Sequence, residues 1–305
     1  MKVSYLPYKE IDKTKWDRCV NDSANRLIYA FSFYLDNMSA NWDGLVLNDY
    51  EAVMPLTWRK KLRVKYLYQP AFMQQGGIFS QLKITSGITK HFLDAAAAQF
   101  NFAEITLNYA NDLLGSDKIK LERRMNHVLI LSSYETVFAN YDAAFTKSLR
   151  RIKKFNIRYE KSEDYTSVIQ LYKKLYGKRQ PSFRIDDYKN LLLICSHLAK
   201  ENNVITRMAY GAENELLSAV VLLKDGKRVY NLVSCITVEG KKLESNYFLY
   251  DKIAQELSGH GLLLDLEGSD VKGIANFYKK LSPVMQPYSF IKYNQLHPLL
   301  KVFKK

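Results

Sequence analysis

LLLDLEGSDVKGIANFYKKL, residues 262–281, passes from a run of leucines through an acidic loop into a segment carrying Phe277, Tyr278 and two lysines. The run LLLDL (262–266) predicts a buried strand, and the segment around Tyr278 predicts a short helix. Alternation along the strand places Asp265 and Glu267 on one face, opposite Leu264 and Leu266. Two carboxylates on one face, in a chain with a surplus of positive charge, ask for an explanation.

Upstream of this stretch the second half of the chain parses into regular elements. NIRYE (156–160) reads as a strand, and Val168, Leu171, Tyr172 and Leu175 recur at helical spacing, as do Tyr188, Leu191, Leu192, Cys195 and Leu198. VITRMAY (204–210), LLSAVVLLK (216–224) and RVYNLVSCI (228–236) are β-prone, the last two joined through Asp225-Gly226, a hairpin signal. The polar connection TVEGKKLESN leads to a helix with Leu249, Ile253 and Leu257 on one face, which Ser258-Gly259 stops. PYSFIKY (287–293) closes the chain as a further strand.

The first half runs through much the same order. KVSYL (2–6) is a strand, the segments around Trp16 and Phe33 are short helices, and 43–48, 51–58 and 64–68 are three strands. A helix over 92–100 leads to the strand AEITLNY (103–109), and MNHVLIL (125–131) ends the unit. The halves match in pattern at an offset of about 160 residues, and such a repeat weighs more than any single motif. The predicted division is 1–140 and 141–305. Across the join, Phe145, Leu149 and Ile152 form an apolar stripe and Lys147, Arg151 and Lys154 a basic one, so a basic amphipathic helix is expected there.

Composition is that of a folded protein, with 47% apolar and 25% charged residues. The N-terminus lacks a signal-peptide core, and no run reaches the roughly 18 apolar residues of a membrane span. Cys19, Cys195 and Cys235 are widely spaced in apolar contexts and read as reduced packing residues, which predicts a cytoplasmic location. The net charge of +14 favours phosphate-bearing partners without choosing among them. The histidines show no metal-ligand spacing with the cysteines, so no metal is expected.

The order of elements resembles the GNAT acyltransferase fold present twice, the architecture of the Fem-type aminoacyltransferases and of FemAB-like acetyltransferases. YLYQPAFMQQGGIFS (66–80), SLRRIKKFNIRYE (148–160) and LDLEGSDVKGIANFYKKL (264–281) carry the resemblance. It implies an α+β fold of two tandem units, each a mixed, mostly antiparallel sheet flanked by helices. The chain departs from the GNAT pattern in that Val271 stands where an Asn is usual, Ser282 replaces a Gly, and GKKLESN (240–246) has a single glycine where a Gly-rich phosphate loop is typical.

The resemblance implies an acyl-CoA donor, with the phosphates at the start of the helix after the hairpin, where free N–H groups and the helix dipole favour anions. That assigns Lys241, Lys242, Ser245 and Asn246 to the donor; Ser245 and Asn246 as simple helix caps is the other reading. Tyr278 matches the tyrosine that protonates a departing thiolate, against a ring that merely packs. Asp265 and Glu267 hold or deprotonate the amine, or else form structural ion pairs. Arg150, Arg151, Lys154 and Arg179 clamp phosphates of an acceptor or of tRNA, or form a solvated face. Gln74 and Gln75 shape an acceptor groove, or simply turn the chain after Pro70.

The expected activity is N-acyl transfer from acyl-CoA to an amine of a sugar- or peptide-like acceptor, with chemistry in the second unit and acceptor binding in the first. Two alternatives stand beside it: a Fem-type transferase drawing its acyl group from aminoacyl-tRNA, and a silent scaffold that binds nucleic acid or an anionic polymer.

Overall fold

The computed structural model describes residues 2–61, 63–115, 118–268 and 271–297. In chain order the elements are β1 (Val3–Leu6), α1 (Lys13–Asp22), α2 (Ser32–Met38), β2 (Trp42–Leu47), β3 (Ala52–Lys61), β4 (Val64–Tyr68), β5 (Phe79–Ser80), α3 (Ser86–Gln99) and β6 (Phe102–Leu107). There follow β7 (Lys120–Ile130), α4 (Tyr134–Ala139), α5 (Ala143–Ile152), β8 (Arg158–Ser162), α6 (Tyr165–Tyr176), α7 (Ile185–Ala199), β9 (Val204–Tyr210), β10 (Leu216–Lys224) and β11 (Arg228–Ile236). The chain ends with α8 (Val238–Lys242), α9 (Ser245–Leu257), β12 (Leu263–Asp265), α10 (Lys272–Lys279) and β13 (Val284–Asn294). Helix starts follow capping chemistry: Asp12, Thr85, Asp142, Asp164 and Thr237 each accept a backbone N–H from the first turn of α1, α3, α5, α6 and α8. No helix among the described residues is long and apolar enough to cross a membrane.

The chain divides into two compact units, Met1–Arg124 with Pro287–Lys305, and Met125–Gln286. In unit 1 the strands lie in the order β1-β2-β3-β4-β6-β13, with β5 beside β3. Neighbours are antiparallel except β4 and β6. In unit 2 the order is β7-β12-β11-β10-β9-β8, antiparallel except β11 and β12. Each unit therefore has the predicted mixed, mostly antiparallel sheet with one parallel step. The α3 helix packs Phe92, Leu93 and Ala96 into the core of unit 1, and α9 packs Leu249, Ile253 and Ala254 into that of unit 2. The three cysteines are free and buried, and burial pushes their thiols up to about 11 for Cys19 and about 12 for Cys195 and Cys235.

Two strands differ from expectation. MNHVLIL was expected to end the first unit, yet Val128–Ile130 pair with β12 of unit 2. PYSFIKY was expected to end the second, yet Ser289–Asn294 pair with β6 of unit 1. The division at 140/141 accordingly differs from the compact units, and α4 belongs with unit 2. An alternating strand satisfies either sheet locally, so only the partner chosen in three dimensions distinguishes them. The basic helix at the join is present as α5, with Phe145 and Ile152 buried and Arg150 and Arg151 in its last turn.

Candidate active site

The β11 strand begins beside β12 but soon leaves it. Parallel pairing covers only Arg228, Val229 and Tyr230, and β12 ends at Asp265 while β11 continues to Ile236. The register with β10 shifts between Leu223↔Tyr230 and Val221↔Val233, so β11 carries one extra residue there. Such a bulge turns side chains that alternation would send to opposite faces onto the same side. Asn231 and Ser234, three residues apart, consequently both meet Tyr250 of α9. Asn231 Nδ2 donates to the Tyr250 hydroxyl at 2.7 Å, and that hydroxyl donates to Ser234 Oγ at 3.1 Å.

Tyr278, from α10, completes the cluster. Its hydroxyl accepts from Asn231 Nδ2 at 2.8 Å and lies 3.3 Å from the Tyr250 hydroxyl. Asn231 Nδ2 also reaches the Leu266 carbonyl at 3.3 Å, while its Oδ1 is buried without a partner. Burial, then the neighbouring Tyr250 and the charge of Glu267, hold the Tyr278 phenol well above its ordinary pKa. Burial raises Tyr250 as well. Both phenols stay neutral, the state a proton donor must have at rest.

The two carboxylates part company. Asp265 is fully buried, accepts from Arg228 Nη1 at 2.6 Å and from Asn126 Nδ2 at 2.8 Å, and the same Arg228 nitrogen donates to Gln286 Oε1 at 3.1 Å. With Arg228 4% exposed, this is a buried structural ion pair. Glu267 lies beyond the end of β12 with φ +50°, so the predicted alternation no longer governs it. Its backbone N–H donates to Asp265 Oδ1 at 3.3 Å, and its carboxylate stands close enough to Tyr278 to influence the phenol. The expectation of a same-face pair is thus corrected: β12 is too short to carry both residues.

The donor cradle also differs from expectation. Residues 238–242 form the short helix α8, which packs against β10 through Gly240, where a Cβ would collide with the Leu217 carbonyl. Lys241 and Lys242 ride exposed on its last turn, and Lys242 pairs with Glu239 at 2.8 Å. The cap of α9 is Glu244, at φ +54°, and Arg151 of α5 holds its carboxylate. Ser245 and Asn246 are the first residues of α9 and not its caps. Ser245 is fully buried, and Ser245 Oγ and Asn246 Oδ1 both lack a partner among the described residues. Lys241, Lys242 and the basic-helix residue Arg151 are therefore brought around the α8–α9 junction, with a carboxylate among them.

The remaining expected residues are spread out. Arg150 and Lys154 are exposed, Lys154 lying 5.1 Å from the Phe155 ring centroid. Arg179 stacks 5.8 Å from the Tyr176 ring centroid, and the Tyr176 hydroxyl accepts from Ile236 N at 3.3 Å at the end of β11. Gln74 and Gln75 belong to unit 1, where Gln75 is fully buried, donates to Gln74 Oε1 at 2.9 Å and accepts from Tyr109 N at 3.0 Å. Their role as an acceptor groove gives way, for Gln75, to holding the turn itself. Sequence reasoning missed Asn231, Ser234 and Tyr250, because nothing in RVYNLVSCI marks a bulge. A polar Asn within a strongly β-prone strand was the only available signal.

No sequence-family profile and no curated protein matches the chain. Among solved structures it is similar to FemX, at 12% identity over the whole of both chains with a TM-score of 0.65. It is also similar to a protein of unknown function from Bacteroides thetaiotaomicron (10% identity, 95% of this chain and 99% of the other, TM-score 0.61). A third match is the C-terminal domain of a putative lysylphosphatidylglycerol synthetase from Agrobacterium fabrum (12% identity, 86% of each chain, TM-score 0.53). These likenesses show the fold: two GNAT-like units, each a mixed sheet with helices.

Proposed function

We propose that unit 2 catalyses N-acyl transfer, moving an acyl group from acyl-CoA to an amine of a sugar- or peptide-like acceptor. The observation that carries this reading is the divergence of β11 from β12 beside the bulge, where a buried, neutral phenol, a buried amide oxygen and a carboxylate converge. The reaction forms a C–N bond and breaks a C–S bond, so the amine loses a proton and the departing thiolate gains one. Glu267 takes the first proton and Tyr278 supplies the second. Among the described residues no strand pairs with the edge of β11 turned from β10 beyond Tyr230, leaving backbone groups to orient the donor and to stabilise the oxyanion. Lys241 and Arg151 face the donor phosphates, with Arg151 offsetting the charge of Glu244. The reduced, buried thiols agree with a cytoplasmic setting for this chemistry.

The Fem-type reading, with an aminoacyl group drawn from tRNA, uses the same opening. It is favoured by one specific observation: α8 and Glu244 occupy the place where a glycine-rich phosphate loop would hold the CoA pyrophosphate. Calorimetric titration with CoA, acetyl-CoA and tRNA in parallel separates the readings. Micromolar binding of CoA that weakens in Lys241→Ala/Lys242→Ala supports the first. Binding of tRNA alone, with a steep salt dependence, supports the second. Silence from both ligands leaves a scaffold. Once a donor is found, Tyr278→Phe lowers kcat by roughly 100-fold with little change in donor affinity; an unchanged kcat removes Tyr278 from the mechanism.

A further inference from the structure

Neighbouring residues on α9 point about 100° apart, so Tyr250 and Asp251 cannot serve the same surface. Tyr250 faces the cluster with Tyr278, whereas Asp251 is directed toward α4 and α5. There a groove of about 760 Å³ opens, with Tyr134, Phe138, Leu149 and Phe248 among its walls. Asp251 lies in this groove yet is only 8% exposed. One of its oxygens accepts from the Tyr134 hydroxyl at 2.9 Å. Tyr141 lies beside the carboxylate and interacts with it, although the buried Tyr141 hydroxyl makes no hydrogen bond of ordinary length among the described residues. Burial, only partly offset by Tyr134, Lys252 and Tyr141, raises the Asp251 pKa, as expected of a carboxylate whose environment does not fully compensate its charge.

Three basic side chains, Arg150, Lys153 and Lys252, line the same groove. None forms an ion pair with Asp251 among the described residues, and the Lys252 ammonium instead donates to Gln255 Oε1 at 2.9 Å. The groove thus presents a sunken negative charge and separate positive charges between apolar and aromatic walls. A purely anionic molecule meets Asp251, and a purely cationic one meets three like charges. A molecule bearing both charges satisfies each end. An ammonium group also brings three donors, enough for an Asp251 oxygen and the Tyr141 oxygen together.

We infer that this groove is a second binding site of unit 2, for a small molecule that carries a primary amine and an acidic group on an apolar or sugar body. The amine is held by Asp251 with Tyr134 and Tyr141, the acid by Arg150 and Lys153, and the body by Phe138 and Phe248. The site lies on a different face of α9 from Tyr278 and does not depend on the acyl-transfer reading.

Calorimetry on the full chain tests it with two probes, L-phenylalanine for a carboxylate and glucosamine 6-phosphate for a phosphate. Their controls are N-acetyl-L-phenylalanine and L-phenylalaninamide, and N-acetylglucosamine 6-phosphate and glucosamine. At least one probe is expected to bind about 10-fold or more tighter than both of its controls and to lose about 10-fold or more in Asp251→Asn. Which probe does so distinguishes the carboxylate from the phosphate. Arg150→Glu/Lys153→Glu, at the exposed rim, is expected to abolish the binding with an unchanged thermal midpoint, which keeps the test valid should Asp251→Asn fail to fold. No binding of either probe up to about 10 mM, binding equal to the controls, or binding unaffected by the variants overturns the inference.

Discussion

The two units share one strand pattern and finish its parallel step in opposite ways. In unit 1, β4 pairs with β6 at Leu67↔Ala103 and Tyr68↔Glu104, and the following segment then fills the place beside β6. Gly76 bridges to Leu107, Gln69 Oε1 accepts from Thr106 N at 3.0 Å, and Gln75 Oε1 accepts from Tyr109 N at 3.0 Å. Asn108 Nδ2 donates to the Gly76 carbonyl at 2.9 Å, and Asn111 both accepts from Ile78 N at 2.7 Å and donates to Ile78 O at 2.9 Å. In unit 2 the corresponding parallel pair lasts three residues, and a bulge then leads β11 away from β12. One opening is filled by the chain's own amides. The other is left with Asn231 Oδ1, buried and without a partner among the described residues. Two units of one topology can therefore finish the same parallel step in different ways.

The sharpest way to break this contrast is to ask what holds each parallel step. Asp265→Ala removes the carboxylate paired with the buried Arg228 and is expected to cost about 3–5 kcal/mol in urea unfolding, with Arg228→Met in the same chain recovering most of the loss. A small effect would return Asp265 to the list of chemical carboxylates. In unit 1, Gly77 sits at φ +82°, where a Cβ would press on Asn111 and lie 3.1 Å from Leu107 Cα. Gly77→Ala is expected to cost about 2 kcal/mol or more, read from the thermal midpoint. Gln75→Ala, which removes the side-chain acceptor of the Tyr109 N–H, is expected to cost about 1–2 kcal/mol. If both unit 1 changes prove silent, the filled opening is not structural.

An effect of acid pH is expected in unit 2. Burial by itself would raise Glu256, but Arg207, Lys161 and Tyr159 outweigh it and bring the pKa from 4.5 to about 2. A depressed carboxylate contributes stability that is fully present above 4.5 and lost as pH falls toward about 2. Urea midpoints measured across that window should decline, and Glu256→Gln should flatten the decline. The smallest effect is expected from Lys242→Ala on the exposed α8, within about 0.5 kcal/mol of the parent in stability. A larger change would mean that α8 is anchored by more than Gly240.

Much of the fold was legible because hydrophobic period is a local property. The Asp225-Gly226 hairpin, the stripe of Phe145 and Ile152, and the repeated order of elements could be read from spacing alone. Tyr278 could be placed on a short helix after a late strand for the same reason. The site was less legible. Alternation predicted a common face for Asp265 and Glu267, but β12 stops at Asp265 and the chain turns to φ +50° at Glu267. Asn231 and Ser234 look like ordinary strand residues until one inserted residue re-aims them.

By itself, then, the sequence determined the α+β class, the tandem pattern, the amphipathic helix at the join and the burial of the cysteines, since each rests on neighbours within a turn or a strand. Tertiary structure alone decided which sheet received residues 125–131 and 287–293, which carboxylate became an ion pair, and which opening stayed unfilled. Those outcomes depend on partners far apart in the chain: Asp265 needs Arg228 and Asn126, and Tyr278 needs Asn231 and Tyr250. Local patterns rank the strands and helices, but the pairing energy that selects among equivalent edges exists only after the chain has closed.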